Sequence, residues 1–362
     1  MKILFLTNDG EGIYKFRKEV VEALLKNNDV FLSLPEDNYI PKLVDMGCKY
    51  IKTEFNRKGT NPIKDLSLLF FYKKLINEIK PDVVLTYTIK PNVYGGLACQ
   101  IMNVPYIANI TGGVGASDKT GIIQNIAINL YKVAFKRVNK VFFQNTANMK
   151  YMMSKGIVSE DKCILIPGSG VNLNDYKVLE YPNGETVDFV YIGRIMTEKG
   201  FKQYIEAAEY IRNKYPITRF HICGIYEDDY KNIVEDLVKR EIVIYHGSLI
   251  DMNQIYKIIQ CTIHPTYYSE GMSNVLLESS ACGRPIITTN RPGSGEVVDD
   301  GVNGYIVKEK DSKDLIKQIE KFLSLSLEQR KQMGLNGRKK VEEQFDRNIV
   351  VNKYLEEVNK LR

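Results

Sequence analysis

The six cysteines (Cys48, Cys99, Cys163, Cys223, Cys261, Cys282) form no Cys-x-x-Cys pair and no cluster with histidine. The chain therefore spells out neither a zinc site nor a disulfide framework, as expected of a reducing compartment. Long apolar runs are also missing. The longest largely apolar stretch, Leu66 to Tyr72, is far below the roughly 20 residues that span a bilayer, so any membrane contact is expected to be peripheral. Lys2 leads straight into Ile3 to Leu6 and leaves no room for a secretion signal, so a cytoplasmic place is expected. No Asp-x-Asp stands at a strand end. Asp228-Asp229 and Asp299-Asp300 read as capping or solvated pairs, so no metal ion and no cofactor is expected. What is present is 362 residues, 44% hydrophobic and 26% charged, a globular composition long enough for two cores. Net charge is +6, and it is uneven: residues 1 to 170 carry 23 Lys and Arg against 15 Asp and Glu, the remainder 27 against 29. A basic first half suggests an anionic partner.

Short β-branched runs alternate with longer amphipathic stretches. Lys2–Thr7, Asp29–Leu34, Lys49–Lys52, Asp82–Thr86, Tyr106–Asn109 and Val141–Gln144 read as buried strands of a parallel sheet. Ile164 to Asn172, with Pro167-Gly168-Ser169-Gly170, and the polar stretch Glu180 to Glu185 mark a boundary. A second series follows: Val187–Ile192, Phe220–Cys223, Ile242–Tyr245, Thr262–Pro265 and Pro285–Thr289. The end is helical over Ser312–Leu325, Leu327–Phe345 and Asn348–Leu361. The expectation is an α/β chain of two Rossmann-like domains, 1–170 and 171–345, with a last helix in 346–362 packing back on the first. Ligands of such sheets sit at strand carboxyl ends, in the cleft that two such domains leave.

Two segments carry chemistry. In Tyr191-Ile192-Gly193-Arg194-Ile195-Met196-Thr197-Glu198-Lys199-Gly200, two cations five residues apart follow a strand, and together with helix-end amides they can bracket a diphosphate. In Tyr267-Tyr268-Ser269-Glu270-Gly271-Met272-Ser273-Asn274-Val275-Leu276-Leu277-Glu278, Glu270 ends a loop, Ser273 or Asn274 can cap the next helix, and Glu278 lies about one turn inside it. The amides of Gly271, Met272 and Ser273 converge at a helix end suited to an anion.

With Glu270, seven intervening residues and Glu278, the upstream Gly193-Arg194 and Lys199, and the later Pro292-Gly293-Ser294-Gly295-Glu296 and Asp300-Gly301-Val302-Asn303-Gly304, the chain resembles the retaining nucleotide-sugar glycosyltransferases of the GT-B fold often called GT4. The resemblance runs over nearly the whole chain. It implies that Arg194 and Lys199 bind the donor diphosphate, Glu278 the ribose and Glu270 the donor sugar, with the Gly193 and Gly271 to Asn274 segments lining the donor. It also implies that the leaving phosphate takes the acceptor proton, so Arg194, Lys199 and Glu270 are the catalytic candidates. The family's amino-terminal glycine loop falls on Asn8-Asp9-Gly10-Glu11-Gly12, where Gly12, or alternatively Gly10, would approach the donor, unless the stretch is a plain helix start. Many relatives carry a histidine in that domain. Here His221, His246 and His264 all lie in the second and are expected to be structural, and Thr111 and Gly112 of the loop Asn109 to Gly115 fill the place instead.

On the acceptor side, Thr86 to Asn92 resembles a stretch of capsule, O-antigen and lipid-linked-oligosaccharide transferases, with Thr88 and Lys90 as candidates. The basic-aromatic cluster Tyr14 to Lys18 and the segment Ile122 to Val141, either an interfacial helix or core, fit an anionic membrane. No nucleic-acid motif accompanies them. The expected activity is transfer of a hexose or N-acetylhexosamine from a nucleotide diphosphate sugar, a UDP-sugar by family frequency, to a polyprenyl-diphosphate-linked glycan at the cytoplasmic face of the inner membrane. A nucleotide-sugar epimerase or hydrolase on the same fold, and a non-catalytic sugar-nucleotide-binding module, are the alternatives.

Overall fold

Runs such as Ile3-Leu4-Phe5-Leu6 and Phe189-Val190-Tyr191-Ile192 have no polar face, and they are buried on both sides, as parallel strands covered by helices must be. The computed structural model describes residues 1–53, 62–112 and 122–362. The chain divides into two units, Met1–Ser169 with Arg347–Arg362, and Gly170–Asp346.

In unit 1 the strands are β1 (Lys2–Leu6), β2 (Asp29–Leu34), β3 (Lys49–Lys52), β4 (Val83–Tyr87), β5 (Tyr106–Ile110), β6 (Lys140–Phe143) and β7 (Cys163–Leu165). They form one sheet in the order β3-β2-β1-β4-β5-β6-β7, every pair parallel. On one face Tyr72, Leu75, Ala98, Cys99 and Tyr131 of the helices Pro62–Ile79, Gly96–Met102 and Ile122–Ala134 pack together, with Phe135 just beyond the last of them. On the other, Ile13, Val20 and Leu24 of the helix Gly10–Leu25 meet Val350, Tyr354 and Val358 of the last helix, Arg347–Asn359. Asp9 caps the first helix by accepting from the Gly12 amide at 2.5 Å, which is why the helix starts at Gly10.

Unit 2 contains β8 (Val187–Ile192), β9 (Thr218–Cys223), β10 (Ile244–Tyr245), β11 (Cys261–His264), β12 (Ile286–Thr289) and β13 (Gly304–Val307), in the order β10-β9-β8-β11-β12-β13, again all parallel. Its largest fully buried side chain is Arg284, just before β12. Among the described residues the guanidinium has no carboxylate partner. It donates to the carbonyls of Tyr256 at 2.7 Å, Glu180 at 2.7 Å and Leu179 at 3.3 Å, and so fastens the entry segment of the unit to the sheet. Burial pulls its pKa down.

Three sequence readings need correction here. Ile164 falls in β7, a short edge strand, rather than in a linker. Gly304–Val307 is a sixth strand of the second sheet, hidden behind the turn signal of Asp300 to Gly304. Arg17 is no surface cation: it is 3% exposed, with its Nε donating to the Tyr354 hydroxyl at 3.3 Å.

Candidate donor site

β8 and β11 are neighbours although some 70 residues separate them in the chain, because β9 and β10 extend the sheet the other way. This crossover sets the loop after β8 beside the loop after β11. Tyr267 donates its amide to the Glu198 carbonyl at 2.9 Å, lacing the two loops together. Gly200 turns the first loop into the helix Phe201–Lys214 at φ +73°, where a side chain would be strained and its Cβ would run into the Pro265 carbonyl.

Three predicted residues, Arg194, Lys199 and Glu270, come together on this seam. Lys199, in a single turn Thr197–Lys199, forms an ion pair with Glu270, both side chains being largely buried. The Tyr268 ring centroid lies 5.3 Å from the Lys199 ammonium and 5.2 Å from the Arg194 guanidinium, so one aromatic ring contacts both cations. Arg194 also pairs with Glu227. Burial pushes the Glu270 carboxyl up, but the charge of Lys199 and a hydrogen bond from His264 outweigh it and hold the group down to about 2. Glu270 is therefore ionised at neutral pH.

His264 was expected to be structural. It ends β11, is 1% exposed, and places Nε2 3.5 Å from Glu270 Oε1 and 3.5 Å from Ser273 Oγ. Burial lowers its pKa from the ordinary histidine value, against the opposing pull of Glu270. His221 and His246 fit the structural reading: they bond each other at 2.8 Å, and His221 bonds Asp188 at 2.9 Å. Tyr268, Glu227 and His264 are the site neighbours that sequence reasoning did not single out. Only their closeness to Arg194, Glu270 and the strand ends pointed to them.

The following helix, Asn274–Ala281, differs from expectation in its cap. Ser273 occupies the cap position without a capping side-chain bond, and its amide donates to the Gly293 carbonyl at 2.7 Å. That amide is committed within the protein. Gly271 and Met272 are buried in the same turn, and the Asn274 Oδ1 is buried with no hydrogen-bond partner. Glu278 sits in the second turn, half-buried, with the Tyr256 hydroxyl 3.4 Å from its Oε2. Gly193, at the carboxyl end of β8, has its Cα facing the His264 ring: a Cβ there would stand 3.9 Å from Cε1. Asp228 caps the Lys199 turn through the Thr197 amide at 2.7 Å, and Asp300 accepts from the Ile306 amide at 2.9 Å. Among the described residues no group of three His, Cys, Asp or Glu is placed to hold a metal ion.

The remaining candidates lie in unit 1. Gly12 is inside the first helical turn with its amide taken by Asp9, and the Gly10 amide is taken by Asp37 at 2.5 Å, so this stretch is a helix start. Thr88 directly follows β4 at φ +67°, a conformation a β-branched residue adopts only at a cost of about 1–3 kcal/mol. Its Oγ1 is buried without a partner, and Lys90 stands half-buried two residues on. Thr111 is exposed, Gly112 has φ +138°, and the loop beyond it lies outside the described residues. Behind these loops runs a buried polar chain. Thr86 donates to Asn92 at 2.7 Å, Asn92 to the Asn109 carbonyl at 2.9 Å, Asn109 to the Thr86 carbonyl at 3.0 Å, and Tyr354 to Asn109. The last helix thus fixes the ends of β4 and β5.

Two parallel-sheet Rossmann-like units, the second with paired cations and acids at its strand ends, define a glycosyltransferase of the GT-B class. The chain belongs to the glycosyltransferases: residues 179–340 match the family model "Glycosyl transferases group 1" and residues 2–145 match "Glycosyl transferase 4-like". It is 28% identical to the N,N'-diacetylbacillosaminyl-diphospho-undecaprenol alpha-1,3-N-acetylgalactosaminyltransferase of Campylobacter jejuni, over 98% of this chain and 97% of that one. To the UDP-Gal:alpha-D-GlcNAc-diphosphoundecaprenol alpha-1,3-galactosyltransferase of Escherichia coli it is 26% identical, over 69% and 68%. Anabaena HepE, solved with UDP and glucose, has the same fold at TM-score 0.80 and 18% identity, over 99% of each chain. No described helix is long and apolar enough to cross a membrane.

Proposed function

We propose that this glycosyltransferase moves a hexose or N-acetylhexosamine from a UDP-sugar to a polyprenyl-diphosphate-linked glycan, with retention of configuration and without a metal ion, at the cytoplasmic face of the membrane. The observation that carries the reading is the cation pair. Arg194 and Lys199 both pack on the Tyr268 ring at the carboxyl ends of β8 and β11, with ionised Glu270 beside Lys199. The names of the Campylobacter and Escherichia relatives supply the lipid-linked acceptor, and the HepE complex supplies UDP.

In this reading unit 2 holds the donor. The diphosphate takes up Lys199 and Arg194, which releases Glu270 to accept from the sugar hydroxyls, while Glu278 accepts from the ribose. The acceptor oxygen bonds to the anomeric carbon as the bond from that carbon to the diphosphate breaks, and the acceptor proton passes to the leaving phosphate oxygen. Negative charge grows on that phosphate, where two fixed cations stabilise it more in the transition state than in the ground state. His264 keeps Glu270 in place from behind. Unit 1 presents Thr88, Lys90, Thr111 and Gly112 toward the acceptor.

A panel of nucleotide sugars with short polyprenyl-diphosphate sugars as acceptors, read by product mass and anomeric configuration, tests the reaction. An inverted product, or nucleotide released without any acceptor, refutes it. EDTA is expected to leave the rate unchanged, and an activity lost to EDTA and restored by magnesium overturns the metal-free mechanism. The two acids divide the donor between them. Glu278→Ala is expected to weaken UDP binding about tenfold, the worth of one hydrogen bond to a charged group, whereas Glu270→Gln leaves UDP affinity near that of the parent and suppresses transfer. Calorimetric titration with UDP separates these outcomes, and equal losses refute the division.

A further inference from the structure

We propose that the outer face of the helices Pro62–Ile79, Gly96–Met102 and Ile122–Ala134 in unit 1 is the surface that rests on an anionic bilayer, an inference that builds on the lipid-linked acceptor reading. These three helices lie side by side on one face of the first sheet: the Gln100 side chain donates to the Val133 and Ala134 carbonyls at 2.9 and 2.6 Å, and the turn Pro91–Gly95 packs against both flanking helices. Their inner sides are fully used in the core through Leu68, Tyr72, Leu75, Ala98, Tyr131 and Ala134. Their outer sides are not polar. Leu66, Phe70, Ile101, Ile126 and Val133 are 51 to 59% exposed.

Single exposed aliphatics are ordinary, but five large apolar side chains on the outer sides of three adjoining helices make one layer unusually rich in exposed apolar residues. The sequence of these helices agrees. Gly96–Met102 carries no charge, and Ile122–Ala134 carries only Lys132, although much of its surface is exposed. A helix with an exposed side and so little charge has its apolar surface matched to something other than water.

The charges that do border the face are positive. Lys74, Lys132, Lys136 and Arg137 are exposed around it, and the one exposed acid on the described part of the three helices, Glu78, stands 3.8 Å from Lys74. An apolar centre with a cationic rim complements acyl chains beneath anionic headgroups. A second copy of the same face would set these cations against each other, which argues against self-association as the occupant. The position suits the chemistry as well. Leu66 and Ile126 lie toward the amino ends of their helices, the ends that in a parallel α/β layer flank the strand carboxyl ends, where Thr88 and Lys90 follow β4. A bilayer on this face would bring a lipid diphosphate to the same edge of the sheet.

Sedimentation with vesicles tests the surface. The full-length enzyme is expected to bind vesicles of phosphatidylglycerol with phosphatidylcholine better than phosphatidylcholine alone, and to release with rising salt as surface attraction is screened. Phe70→Ser combined with Ile126→Ser is expected to lower vesicle affinity about tenfold or more, since two apolar side chains no longer leave water. Lys132→Glu combined with Lys136→Glu should remove the preference for anionic lipid. Ile250→Ser, an exposed isoleucine of unit 2, should change nothing. All these positions are exposed, so parent-like melting is expected, and transfer to a water-soluble acceptor should persist while transfer to a vesicle-held acceptor falls. Parent-like vesicle binding by the Phe70→Ser/Ile126→Ser variant overturns the proposal. So does a dimer of the parent that this variant dissociates. An enzyme that binds vesicles through this face yet transfers sugar to neither acceptor keeps the surface and overturns the functional reading instead.

Discussion

Lys199→Ala lowers turnover by about two to three orders of magnitude, the typical cost of removing one preorganised stabiliser of transition-state charge. The same substitution leaves Glu270 buried without its cation, and breaking a buried pair from one side costs about 3–5 kcal/mol of stability. The two effects are separable. Lys199→Met combined with Glu270→Gln removes both charges and should restore much of the stability, because no buried ion is left unmatched, while turnover stays low. Thermal melts and single-turnover rates on the three variants decide the matter: a double variant that regains rate along with stability refutes the role of Lys199 on the leaving phosphate. Acid gives an independent check. Glu270 is held down to about 2, so its ionised form contributes stability that is fully present above the ordinary carboxylate range and is lost as pH falls toward 2. Glu270→Gln should therefore flatten the acid-unfolding profile across that window.

Arg284→Ala destabilises unit 2 by about 3–5 kcal/mol. The carbonyls of Leu179, Glu180 and Tyr256 lose their donor at once, at about 1–3 kcal/mol for each carbonyl left dry, less what water recovers in the cavity. Arg284→Lys recovers little, because one ammonium cannot span three carbonyls that a planar fork reaches from one point. Chemical denaturation gives the measure. A loss below about 1 kcal/mol for the alanine variant would show that the fastening is dispensable.

The sequence made most of both sheets legible, because parallel strands buried on both faces carry runs of aliphatic, β-branched and aromatic residues, as in Phe189-Val190-Tyr191-Ile192. Where that signature weakens, the element disappears from view. β7 is three residues long and lies at the edge of its sheet, and β13 begins at Gly304, inside a turn motif. The motif spacing named Arg194, Lys199, Glu270 and Glu278, but not their pairing. That Lys199 meets Glu270, 71 residues away, depends on the strand order that sets β8 beside β11. His264 is buried at the end of β11, as the structural reading expects, and the same strand order is what sets it beside Glu270. Arg17 misled in the opposite way: a cation beside Lys15 and Lys18 reads as surface, and only the last helix, more than 300 residues on, supplies the Tyr354 hydroxyl that draws it inward.

That last helix sets the order in which the polypeptide can be made. Val350, Tyr354 and Val358 complete the apolar layer over Ile3, Val20 and Val30, and Tyr354 also bonds Asn109. As the chain leaves the ribosome, the first sheet is synthesised early, yet on one side the helix Gly10–Leu25 covers it only in part until residues 347–359 emerge, after the whole of unit 2 has had time to fold. The unit begun first is finished last. During that interval the exposed strands are open to chaperones and to wrong partners, and a ribosome-stalled chain ending near Asp346 should show a protease-resistant unit 2 beside a labile unit 1.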